Sequence, residues 1–88
     1  MKTYILLKET YVYSRLDSAD IVSASLDIET ARRSMRSEIE TYSEGLDEED
    51  RKEALDKRNY SEDGMSWEYK DITLRITEME LLGNGMLK

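Results

Sequence analysis

Met65-Ser66-Trp67-Glu68-Tyr69-Lys70-Asp71-Ile72-Thr73-Leu74-Arg75-Ile76-Thr77 holds two alternating runs that meet at Asp71. Met65, Trp67 and Tyr69 alternate with Ser66, Glu68 and Lys70, and Ile72, Leu74 and Ile76 alternate with Thr73, Arg75 and Thr77. A period of two sends successive side chains to opposite faces, so each run reads as a strand with one buried face, and Asp71 turns the first into the second. The last strand is expected to continue through Met79 and Leu81, with its opposite face polar. A hairpin of this kind is not stable alone and needs a helix or further strands to cover its apolar side.

The cover lies upstream. Ile28, Ala31, Met35, Ile39, Tyr42 and Leu46 recur at steps of three and four, which is one face of a helix, and Asp27 stands where its N-cap belongs. Gly45 is a natural stop. Asp47-Glu48-Glu49-Asp50 then reads as the cap and acidic first turn of a second helix running to about Arg58, apolar only at Ala54 and Leu55. Residues 3 to 13 are rich in aromatic and β-branched types and read as a long first strand, with a kink or bulge expected near Glu9. Residues 14 to 20 carry turn formers and read as a loop, after which Ile21-Val22-Ser23-Ala24 returns as a short second strand. The order ββααββ predicts an α+β fold: an antiparallel sheet of three to four strands with one or two helices on one face. One domain over 1–82 is expected, followed by a frayed tail at 83–88.

Eighty-eight residues can bury only about 60 to 65% of the surface of the unfolded chain, so the core is modest. No cysteine is present to staple it, which favours a reducing, cytoplasmic setting. The apolar start is broken at Lys8-Glu9, too early for a secretory leader, and no apolar stretch approaches the roughly 20 residues that span a bilayer. Asn59-Tyr60-Ser61 matches the glycosylation sequon, but a cytoplasmic chain does not meet the modifying enzyme.

With neither His nor Cys, the chain lacks the commonest general base, the commonest metal ligand and the best nucleophile. Paired carboxylates can act as acid and base only where burial splits their pKa values, and the acids here cluster in the most polar part of the chain. The reading is therefore not an enzyme. The four glycines are scattered and form no phosphate loop, and Asp47-Glu48-Glu49-Asp50 lacks the alternate spacing and central glycine of an EF-hand, so neither cofactor nor metal is expected. Trp67 and the methionines read as core.

Charge is the informative feature. Glu38, Glu40, Glu44, Asp47, Glu48, Glu49 and Asp50 are seven acids with no base among them, equal to the whole net charge of −7, while the other segments nearly cancel. In the first helix Arg32, Arg33 and Arg36 precede Glu38, Glu40 and Glu44, the reverse of what the helix dipole prefers, softened by expected pairs Glu29–Arg33 and Arg36–Glu40. Charges set against local preference point to function, here a partner-binding ridge at 38–50. If helical, its carboxylates fall about every 3 Å, near the roughly 3.4 Å phosphate spacing of a DNA strand, which suits a decoy for a basic groove. The same field disfavours direct nucleic-acid binding.

A short chain without Cys, with a leading strand, the Leu26-Asp27-Ile28-Glu29-Thr30-Ala31-Arg32 helix start, an acidic helical middle and a closing Trp67 to Leu82 hairpin resembles the small acidic proteins of phages and mobile elements, some of which are anti-CRISPR inhibitors. The resemblance is one of layout. It implies a protein inhibitor and transfers no functional residues; the basic, nucleic-acid-handling partner follows from the acidic ridge alone. The alternative is an assembly module that associates, also with itself, through a sheet edge or through Tyr11, Tyr13, Trp67 and Tyr69.

Overall fold

The computed structural model describes residues 2–80. Strands β1 (Lys2–Val12) and β2 (Arg15–Ser25) lead into helices α1 (Ile28–Glu44) and α2 (Glu48–Ala54), a 3₁₀ turn at Lys57–Asn59, and strands β3 (Ser66–Tyr69) and β4 (Ile72–Glu80). All neighbouring strands are antiparallel in the order β2-β1-β4-β3, so the first and last long strands meet at the centre. The architecture is α+β with element order ββααββ, as the alternation and the helical stripe require. Leu81, the end of the expected domain at 82 and the tail at 83–88 lie outside the described residues.

Register explains which side chains enter the core. Leu6 opposes Ile76, Trp67 opposes Leu74 and Tyr69 opposes Ile72, so these six share the face that α1 covers. From α1, Ala31, Met35 and Ile39 are buried against them, with Ile28 and Tyr42 packed at the margin beside Leu46 of the following turn. Ser43 is also fully buried, which its polarity hides in the sequence; its hydroxyl donates to the Glu40 carbonyl at 2.9 Å, so burial leaves no unmet donor.

Trp67 connects the layers. It is fully buried, its indole N–H donates to the Ala54 carbonyl at 3.0 Å, and its ring lies 6.0 Å from that of Tyr42 in an edge-on contact. Ala54 is itself fully buried. The Asn59 amide donates to the Glu53 and Ala54 carbonyls at 2.6 and 3.1 Å, which closes the C-terminus of α2. The helix therefore stops at Ala54 rather than near Arg58: Asp56 is extended and caps the next 3₁₀ turn through Arg58 N–H at 2.9 Å, and Leu55 is left exposed.

The second correction concerns β2. The chain reverses in two residues, Tyr13 and Ser14, and β2 occupies Arg15–Ser25 where a loop and a four-residue strand were expected. The pairing skips Val22 and Asp17, two bulges that break the alternation by which the strand would have been read. The kink or bulge expected near Glu9 in β1 is not found: Glu9 pairs in step with Ala19 and Thr73, and both extra residues belong to β2. Tyr13 and Ser14 have φ of 50° and 66°, the left-handed region that a type I′ turn demands of both residues and that costs non-glycine side chains roughly 1–2 kcal/mol each.

Two outcomes test this account. Trp67→Phe, which removes the indole donor and part of the ring, should destabilise by about 1–3 kcal/mol in denaturant titration. Tyr13→Asn combined with Ser14→Gly should raise the melting temperature, by about 4–8 °C for each kcal/mol of strain relieved; an unchanged or lower value would contradict the strained turn.

Candidate functional site

The acidic segment begins in the second half of α1. Each helical residue rotates the next by about 100°, so Glu40 and Glu44 share one outward stripe while Glu38 lies about 200° round from Glu40. Glu38 is half-buried and stands one turn beyond Ser34, whose hydroxyl shares a 2.9 Å hydrogen bond with Ser23 of β2. Glu40 stands one turn beyond Arg36 on the opposite flank. Burial raises the Tyr60 phenol above its ordinary pKa there, opposed by Arg36 and reinforced by Glu40.

The helix then stops. Gly45 takes the C-cap with its N–H donating back to the Tyr42 carbonyl at 3.2 Å, and the chain turns before α2. Asp47 caps α2 by accepting from Asp50 N–H at 2.9 Å, and Glu48 and Glu49 occupy its exposed first turn. Asp50 points away from them, 3.9 Å from the Lys70 ammonium. Asp50, with the Tyr69 ring below the cation at 5.4 Å, holds Lys70 above its ordinary pKa.

The seven acids are thus divided. Glu40, Glu44, Asp47, Glu48 and Glu49 are exposed around the junction of the two helices, whereas Glu38 sits on the β2 flank and Asp50 reaches the β3–β4 turn. A single straight rod of carboxylates is interrupted at Gly45 and Leu46. Among the described residues Glu40, Glu44, Glu48 and Glu49 enter no ion pair. Ion pairs elsewhere in the fold join Lys2 with Glu78 at 3.1 Å, Arg32 with Glu29 at 3.0 Å and Arg75 with Glu9 at 3.0 Å, while Arg51 and Lys52 of α2 enter none among the described residues. Arg32, rather than the expected Arg33, pairs with Glu29, and it also donates to the Asp63 carbonyl at 3.2 Å, pinning the 61–64 loop to α1.

Neither the aromatic group nor the sheet edge forms a ready surface. Trp67 and Tyr69 are in the core, Tyr11 is on the uncovered face of the sheet, and Tyr13 stands at the hairpin tip, 96% exposed. The edge strand β2 is bulged twice and carries Asp17 and Asp20, and β3 has four residues; these are features that blunt edge-to-edge pairing. Among the described residues no group of three or more acids converges on a point where a cation would sit. A depression of about 310 Å³ on the uncovered face is lined by Tyr11, Ser14, Glu68, Lys70, Thr73 and Arg75. No helix of the described chain is long and apolar enough to cross a membrane.

No family model matches the chain, and no curated protein and no solved structure matches it.

The stripe bearing Glu40 and Glu44 is set by the start of α1. Asp27 Oδ2 accepts from the Thr30 hydroxyl at 3.0 Å and the Thr30 N–H at 3.2 Å, and the hydroxyl bond first, then the backbone, holds its carboxyl below the ordinary range. A depressed folded pKa contributes stability that is present above the unfolded value and lost as pH falls through the folded one. Asp27→Ala should therefore melt below the parent at pH 7, and the gap should close as the pH drops beneath the ordinary carboxylate range near about 4. A constant gap in melts down the pH series would rule out the charged cap.

Proposed function

We propose that the protein is a non-enzymatic binding module that presents the acidic α1–α2 junction to a partner with a basic surface. The observation that carries this reading is that Glu40, Glu44, Glu48 and Glu49, exposed around the junction of α1 and α2, enter no ion pair among the described residues. Unmatched exposed carboxylates leave a net field, and such a field raises association rates with an oppositely charged surface. The narrower form is an inhibitor that occupies the groove of a nucleic-acid-handling protein; the acidic field supports the basic groove, and the resemblance in layout to small acidic phage and mobile-element proteins of the anti-CRISPR type supports only the role of inhibitor. The carboxylates follow a bent surface, so the fit is to a basic concavity rather than to a long straight channel.

The test joins a pull-down from the source cell at low and moderate salt with one variant. Glu44→Lys, Glu48→Lys and Glu49→Lys together should leave the circular dichroism spectrum unchanged, since exposed substitutions cost within about 0.5 kcal/mol each. Association with the captured partner should slow by at least about tenfold, and the parent complex should weaken steeply as salt rises. A folded triple variant that binds as fast as the parent would eliminate the acidic junction as the contact.

A further inference from the structure

The helices cover one face of the sheet only. On the other, register aligns Thr77, Ile5 and Ala24 in one row and Arg75, Leu7 and Ile21 in the next, with Met79 opposite Thr3 at the end. Ile21 is 67% exposed and Met79 39%. The sequence of the central strand agrees: Ile5-Leu6-Leu7 is a continuous apolar run, the pattern of a strand buried on both sides, and only Leu6 faces the helices. β1 is built for a second cover.

We infer that this cover is a second copy of the chain, packed sheet face to sheet face about a twofold axis near Leu7. Charge selects the occupant. The helical side of a −7 chain repels its own copy, whereas the open face carries little net charge: Glu9 is matched by Arg75 at 3.0 Å, Glu68 is the other acid lining the depression, and Lys70 at its rim pairs with Asp50. An isologous contact needs a patch complementary to itself, and apolar rows flanked by paired charges meet that condition. Edge pairing is the competing route to self-association, and the bulges and acids of β2 oppose it.

Area sets the strength. Nine paired residues at about 3.4 Å and three to four strands at about 4.8 Å give a planar footprint of about 500 Å² per copy, or about 1,000 Å² for the pair. That is the threshold of a specific interface, so a micromolar dimer follows rather than an obligate one.

Sedimentation velocity on the full chain tests it. The protein should be mainly monomeric at about 5 µM and mainly dimeric at about 500 µM, with little response to salt. Ile21→Lys places like charges near the axis, and Met79→Lys, separately, puts an unpaired ammonium into the apolar end of the contact; both positions are exposed, and each should weaken the dimer by about tenfold or more while the far-ultraviolet dichroism stays that of the parent. Leu26→Lys, an exposed apolar residue off this face, should leave the dimer intact, as should the triple charge reversal on the helices. A chain that remains monomeric at the top concentration would overturn the inference, and so would a dimer that both face variants leave unchanged.

Discussion

The hydrogen bond from the Trp67 indole to the Ala54 carbonyl is the constraint on which the architecture turns. α2 has seven residues and one buried side chain, too little apolar surface to hold a position by itself. Trp67 fixes it by spanning from β3 to the last residue of the helix, and Asn59 closes the carbonyl end from the other side. Tyr42 and Tyr69 pack around the indole with centroids 6.0 and 6.2 Å away, so α1, α2 and the sheet meet at one aromatic point. The relative placement of Glu44 at the end of α1 and Glu48 at the start of α2 is inherited from that point.

Much of this was legible because its physics is local. The two alternations around Asp71 fixed β3 and β4, the stripe from Ile28 to Leu46 fixed the buried face of α1, and Asp27, Gly45 and Asp47 stand at the helix ends where capping puts them. β2 was not legible beyond Ile21–Ala24. Its role as an edge strand leaves most of its side chains exposed, and the skipped residues Asp17 and Val22 shift the period partway along. Tyr13-Ser14 hid the turn further, because neither is a residue that left-handed φ favours. Thr73 was read as polar and outward; it does face away from the helices, yet it is only 8% exposed, held between Glu9 and Glu68 on the neighbouring strands.

The candidate site was legible as composition and not as shape. Counting acids located the field, but which carboxylates act together depends on the helical rotation between Glu38 and Glu40 and on the salt bridge that turns Asp50 toward Lys70. The open sheet face has the opposite history. Its signal, three consecutive apolar residues at 5 to 7, is plain in the sequence, but its meaning depends on knowing that one side of β1 is left uncovered.

These two surfaces lie on opposite layers of the domain, and that arrangement has a physical consequence. Helices on one face concentrate the unmatched charge there and leave the sheet face near neutrality, so attraction to a basic partner and self-association do not compete for the same residues. The two proposed contacts are separable by salt: screening over a Debye length of about 8 Å at physiological ionic strength would weaken the first and hardly touch the second. In a pair joined through the sheets, both helical layers lie outermost. Two acidic junctions held on a rigid body would bind a partner with two basic sites as a single intramolecular event after the first contact, gaining avidity without any new interaction, provided the spacing of the sites matches the thickness of the two sheets and two helical layers between them.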